Sequence, residues 1–193
     1  MGKKEITTHI VKTAGDLFYK NGYNATGINE IIQTAGIAKA TLYGHFKSKE
    51  DLCVAYLQQR HSFFMIAIIN YTKSRPLGKD QLLGIFDFLR DFFREEDFYG
   101  CWALKVFNEL PPENEKILET VQQQKKELLF FLGELIQDNY PNSSKAEIER
   151  ISGGLYMLYE SAISESHLHK NDWPIHLAKR LATSLIQEVA IFS

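Results

Sequence analysis

The chain has 193 residues, 45% of them apolar, with 22 Lys and Arg against 24 Asp and Glu and only two cysteines. That is the size of one domain, or of one core with a small appended module, and the apolar fraction excludes wholesale disorder. The longest apolar run, Phe63 to Ile69, is seven residues, against the ~20 of a membrane helix; with no signal-peptide core and no disulfide framework, a soluble intracellular protein without a membrane partner is expected.

Apolar spacing reads as helical from the start. Ile6, Ile10, Ala14, Leu17 and Phe18 form a first stripe, stopped at Asn21-Gly22. Ile28, Ile31, Ile32 and Ala35 follow at i, i+3, i+4, i+7 and are closed by Gly36. A short third helix is expected from about Lys39 to Phe46, with Leu42 and Phe46 inward. Ser48 then reads as an N-cap, with Glu50 and Asp51 in the first turn of a long helix to about Tyr71. Pro76 and Gly78 break it.

The second half repeats the grammar. Leu82, Ile85, Phe86, Leu89, Phe92 and Phe93 form a wide stripe, and a short segment from Cys101 to Leu110 ends at Pro111-Pro112. Pro112 is expected to open a long helix through Ile117, Val121, Leu128, Leu132, Leu135 and Ile136. Ser144 with Glu147 reads as a capping box for the next, with Ile148, Ile151, Leu155, Leu158, Tyr159 and Ala162 on one face. Pro174 is expected to start a last helix through Ala178, Leu181, Ala182, Leu185 and Val189. No period-2 strand and no fixed repeat stands out. The pattern predicts an all-α chain of about nine helices.

Two short helices at Ile28–Thr34 and Lys39–Phe46, joined through Gly36, have the form of a helix-turn-helix. Ala35, Gly36 and Ala38 supply the small residues that let two helices cross closely. Lys39 and Thr41 are the exposed candidates on the second helix, and Tyr43, His45 and Lys49 form a belt of phosphate donors beyond it. Charge agrees weakly: residues 1–52 carry seven Lys against five acids, whereas the remaining 141 carry 15 basic and 19 acidic residues.

The stretch from Thr26 to Leu52, with its Ala35-Gly36-Ile37 turn and its Leu42-Tyr43-Gly44-His45-Phe46-Lys47-Ser48-Lys49-Glu50-Asp51-Leu52 close, resembles the DNA-binding domain of TetR-type transcriptional regulators. Two positions depart from that pattern. Ile32 stands where the family usually has Ala, and Ala38 where it usually has a capping Ser or Thr. The resemblance implies a DNA-binding domain over residues 1–52 and a helical ligand-binding and dimerisation domain over residues 53–193. It implies base contacts from Lys39, Ala40 and Thr41 in a major groove, and phosphate contacts from Thr26, Tyr43, His45 and Lys49. Core packing is the alternative for Tyr43, and a solvated surface for His45.

The resemblance also implies a homodimer joined through the last two helices, for which Gly153, Tyr156, Leu181 and Leu185 are candidates. Glycine inside a helical pattern is unfavourable unless something approaches closely; packing within one subunit is the alternative. A small-molecule effector is implied in the second domain, where Phe64, Phe86, Trp102, Phe107 and Phe131 are candidate pocket residues for an apolar or aromatic compound. Plain core is the alternative for any one of them. Cys53 and Cys101 read as buried thiols rather than a redox pair. His167, His169 and His176 read as a solvated end, so neither a metal nor a cofactor is expected.

These features together predict a ligand-responsive regulator, a repressor, that binds a palindromic operator in double-stranded DNA as a homodimer and is released by its effector. The alternative is a helical small-molecule-binding protein or enzyme on the same scaffold. It finds no P-loop, H-E-x-x-H or C-x-x-C motif here.

Overall fold

The computed structural model describes residues 2–110 and 114–190. Among the described residues nine helices follow one another without a strand: α1 (Lys3–Asn21), α2 (Ile28–Ala35), α3 (Lys39–His45), α4 (Lys49–Lys73), α5 (Lys79–Phe93), α6 (Trp102–Phe107), α7 (Glu115–Asn139), α8 (Lys145–His169) and α9 (Trp173–Ala190). The all-α expectation and the order of elements hold. The expected helix start at Pro112 lies outside the described residues, as does the side chain of Val189. The last helix begins at Trp173, one residue before Pro174.

The stops are local chemistry. Gly22 has φ 99° and its N–H donates to the Phe18 carbonyl, while Gly36 sits in the left-handed region at φ 63° with its N–H turned back on α2. At the start of α8 the Ser144 side chain accepts from the Glu147 N–H, and the Glu147 carboxylate accepts from the Ser144 N–H at 2.8 Å, closing the capping box. The Ser144 hydroxyl, donating to the same carboxylate at 2.6 Å, and after it the Ser144 N–H hold the Glu147 carboxyl below its ordinary value.

The chain divides into two compact units, Met1–Phe63 with Cys101–Gln124, and Phe64–Gly100 with Lys125–Ser193. The first gathers α1, α2, α3, α6 and the first halves of α4 and α7. Ile10, Ala14, Phe18, Ile31, Leu42, Leu52 and Leu57 are fully buried there. In this unit Lys116 of α7 pairs with Asp51 in the first turn of α4.

The second unit is built on the α8–α9 hairpin packed against α5, with Ile85, Phe86, Leu89, Leu155 and Ala182 buried. Two part-buried ion pairs tie it laterally, Lys125 with Glu160 at 2.6 Å and Lys179 with Asp87 at 2.7 Å. Helix α4 is long and apolar enough, by length and composition alone, to cross a membrane. Its Leu52, Cys53, Leu57 and Ile68 are instead buried within the protein.

Candidate nucleic-acid interface

Helix α3 is anchored from beneath. Leu42 is fully buried and Phe46 is 8% exposed. Lys39 and Ala40 are exposed and Thr41 is half-buried, so the first turn of α3 presents one long cation and two small side chains. No side chain caps that turn, as expected from alanine at position 38. A short helix with an inward Leu and Phe and a small, outward first turn can enter a major groove without steric conflict.

Two hydrogen bonds fix this helix-turn-helix on α1. The Thr7 hydroxyl and His45 Nδ1 share one at 2.8 Å, and His9 Nε2 donates to the Ala35 carbonyl at 2.9 Å. His45 is therefore neither a bare surface residue nor a dedicated phosphate donor; one ring nitrogen is engaged in holding the end of α3. Tyr43 is 45% exposed and so is not core. Lys49 opens α4 with its ammonium 4.3 Å from the Tyr23 ring centroid, and burial pulls its pKa below the usual lysine value.

Thr26 departs from expectation. It is fully buried, and its hydroxyl donates to the Gly22 carbonyl at 2.7 Å. A side chain committed inward in this way shapes the α1–α2 turn, and its O–H is already donated and not offered to a phosphate. A hydroxyl can serve either a phosphate or the preceding turn, and the i−4 carbonyl is the nearer partner.

One part of the interface was not legible in the sequence. Lys105 of α6 donates to the Tyr19 carbonyl at 2.7 Å and to the Lys20 carbonyl at 3.2 Å. Glu109 accepts from the Asn24 N–H at 2.7 Å, and the Asn24 amide donates to the Glu109 carbonyl at 2.7 Å. A Cβ at Gly22 would collide with the Glu109 carboxylate. Helix α6 is thus fastened to the α1–α2 turn across some eighty residues of sequence.

The five candidate pocket residues are not brought together within either unit. Trp102 and Phe107 lie on α6 in the first unit, Trp102 buried with the Arg60 guanidinium 5.6 Å from its ring and Phe107 42% exposed. In the second unit Phe64 and Phe86 both flank Tyr159, at ring-centroid distances of 6.5 and 6.4 Å. Phe131 lines a cleft of about 340 Å³ with Ile69, Lys73, Glu134 and Leu135.

The candidate dimer residues divide in a similar way. Gly154 is taken up inside the subunit, because a Cβ there would collide with Leu185. Gly153 faces open space, with nothing within 4 Å of where its Cβ would stand. Tyr156 is half-buried, and Leu181 and Met157 are 50% and 66% exposed on the same hairpin. Among the described residues no three His, Cys, Asp or Glu side chains converge as metal ligands would. His169 and His176 contact Glu165 and Asp172 of their own helical turns.

Helices α1–α3, with the open first turn of α3 and Tyr43, His45 and Lys49 beyond it, have the form of a helix-turn-helix DNA-binding unit. The family model for bacterial regulatory proteins, tetR family, matches residues 10–56. An HTH-type transcriptional regulator in the lacX 3′ region of Lactococcus lactis is 29% identical, the match covering 77% of this chain and 81% of the relative. The HTH-type transcriptional repressor NemR of Escherichia coli is 21% identical over 69% of this chain and 68% of its own. The crystal structure of a TetR-family transcriptional regulator from Streptomyces coelicolor superposes with a TM-score of 0.85 at 24% identity, covering 96% of both chains. Residues 10–56 thus carry the tetR-family DNA-binding pattern, and the relatives that the chain resembles over most of its length are transcriptional regulators.

Proposed function

We propose that the protein is a ligand-responsive repressor that binds a palindromic operator as a homodimer in the cytoplasm. A small apolar or aromatic effector releases it. The observation that carries this reading is the first turn of α3, where Lys39, Ala40 and Thr41 stand outward over a buried Leu42. Lys39 suits guanine O6 and N7, and the methyl groups of Ala40 and Thr41 suit thymine. Tyr43, Lys49 and the outer edge of His45 would hold phosphates, while Thr26 supports the turn beneath them.

One such module touches few base pairs, so useful affinity needs two heads on a two-fold axis. The exposed apolar residues of the α8–α9 hairpin, Met157, Leu181 and the open Gly153, support its use as the dimer surface. The aromatic neighbours Phe64, Phe86 and Tyr159 support an aromatic effector in the second unit. In this reading residues 1–52 read DNA, the rest dimerise and sense, and α6 moves with the reading head to which it is fastened. The effector acts by a coupling free energy, favouring the dimer geometry in which the two α3 helices no longer fit adjacent major grooves.

Binding to the DNA upstream of its own gene, measured at two salt concentrations against random DNA, tests the reading. Steep salt dependence with preference for a palindrome supports it. Absence of binding, or equal binding to random DNA, rejects it.

A further inference from the structure

We infer that Thr7 is a positioning residue for DNA binding: it holds His45 in the tautomer whose outer nitrogen grips a phosphate only after taking up a proton. This rests on α3 being the DNA-binding helix. Thr7, His45 and their partners all lie in the first unit.

The Thr7 hydroxyl is 3.0 Å from the Lys3 carbonyl and 2.8 Å from His45 Nδ1. A hydroxyl has one proton to give and lone pairs to accept with, whereas a carbonyl only accepts. Both contacts are hydrogen bonds only if the hydroxyl donates to Lys3 and accepts from an Nδ1–H. Neutral His45 then has its proton on Nδ1 and a lone pair on Nε2. His9 is the opposite case, because its Nε2 donates to the Ala35 carbonyl at 2.9 Å.

His45 Nε2 has no partner among the described residues and is not enclosed, so it is the edge that a phosphate meets at the end of α3. A lone pair there repels a phosphate oxygen, and an imidazolium N–H binds one. Protonation leaves the Thr7 bond in place, since Nδ1–H is present in both forms. It therefore converts Nε2 from acceptor to donor without moving α3.

The cations on the elements around the ring are Lys3 and Lys4 of α1, Lys39 of α3, Lys47 after it and Lys49 of α4, and His9 is the other titratable ring. The acids are engaged elsewhere: Glu5 with the Gly2 N–H, Glu30 of α2 with the Gly27 N–H, and Asp51 of α4 with Lys116. No carboxylate, Glu50 included, pairs with His45 among the described residues. The charge gained on protonation thus has no counter-ion until a phosphate supplies one. Phosphate binding favours the protonated ring, so by linkage affinity rises as pH falls through the imidazole range, near about 6.5.

Two measurements on the full chain test the inference. Proton–nitrogen correlation spectra of the rings above about pH 8, where imidazole is neutral, should show His45 as Nδ1–H and His9 as Nε2–H. Thr7→Val should release the His45 tautomer and Thr7→Ser should keep it. Anisotropy with a duplex from the DNA upstream of its own gene, at constant ionic strength, should show binding about tenfold tighter at pH 6 than at pH 8, the effect of one charge-assisted hydrogen bond. His45→Gln, whose amide donates at every pH, and Thr7→Val should flatten that profile, whereas Thr7→Ser should preserve it. A neutral His45 with its proton on Nε2, a flat parent profile, or a profile that His45→Gln leaves unchanged overturns the inference alone. Absence of binding at every pH rejects the regulator reading and the phosphate role with it; the tautomer measurement needs no DNA and tells the two failures apart.

Discussion

The Lys105 ammonium on α6 closes the C-terminal end of α1 by donating to the Tyr19 carbonyl across 2.7 Å. The last carbonyls of a helix have no partners within it and carry the negative end of its dipole, so a cation there is stabilising. Burial lowers the Lys105 pKa and the Glu109 carboxylate opposes that shift. With Glu109 holding Asn24, the short helix and the residues just after it grip α1 and the turn that follows it. Lys105→Met keeps the apolar stem and removes the charge. Thermal or denaturant unfolding should show a loss of about 1 kcal/mol, typical of one such hydrogen bond. Effector-induced release from DNA should weaken in the same variant, since α6 no longer holds α1. Unchanged stability and release would show that the contact is incidental.

Thr26 separates a structural hydroxyl from a DNA contact. Its bond to the Gly22 carbonyl is buried, so Thr26→Val should destabilise the protein by about 1 kcal/mol, the usual net worth of such a bond. The salt dependence of operator binding should keep its slope, because no phosphate contact is lost. A shallower slope with unchanged stability would restore the phosphate role.

The helices were legible because their signals are local. Gly22 and Gly36 stop α1 and α2 by backbone freedom at those positions, and Ser144 and Glu147 start α8 by a bond spanning three residues. Leu42 and Phe46 were legible as the buried side of α3 for the same reason. Contacts between distant positions left no such trace. Nothing around Lys105 marks it as the cap of a helix 86 residues earlier, and its neighbours Trp102 and Phe107 look like pocket aromatics in a list of rings. Thr26 carries the motif's residue type, but the direction of its hydroxyl depends on the turn that it closes.

Lys39 and Lys49 should fail differently in DNA binding. Lys39→Ala would remove the proposed base-edge donor and is expected to cost about 1–3 kcal/mol on the preferred operator while relaxing its sequence preference at one position. Lys49→Ala would remove the proposed phosphate partner at the start of α4; it should weaken binding evenly across sequences and reduce the salt slope by about 1. Anisotropy titrations on operator and single-site variants at several salt concentrations distinguish the two. Identical behaviour would mean that α3 is not the reading helix.

Cys53 is fully buried on α4, and burial pushes its thiol pKa up to about 12, with the nearby Lys49 opposing the shift. At pH 8 such a thiol is ionised in only about one molecule in ten thousand. Native protein treated with iodoacetamide at pH 8 should therefore show Cys53 unmodified by mass spectrometry, and modified once denaturant is added. Tyr23 beside it is likewise raised to about 12 by burial. Raised pKa values in acids mean that the neutral forms are favoured by folding. Their contribution is complete below the unfolded thiol and phenol values and is lost as pH rises towards 12. Rapid labelling of native Cys53 would contradict the burial argument and reopen a redox role.

Gly153 and Gly154 are adjacent in α8 and should respond oppositely to alanine. At Gly154 a Cβ meets the Leu185 side chain of the same subunit, so Gly154→Ala drives that side chain from its place between α8 and α9 and should destabilise the fold by about 1–3 kcal/mol, as overpacking does. At Gly153 nothing in the subunit is within 4 Å. Alanine there should raise the helix's own stability by up to about 1 kcal/mol. If this face joins two subunits, the same methyl group falls between their backbones, and the dimer should dissociate more readily in analytical ultracentrifugation. A Gly153→Ala protein with both higher stability and unchanged dimer affinity would place the dimer contact elsewhere on the hairpin, at Leu181 and Met157.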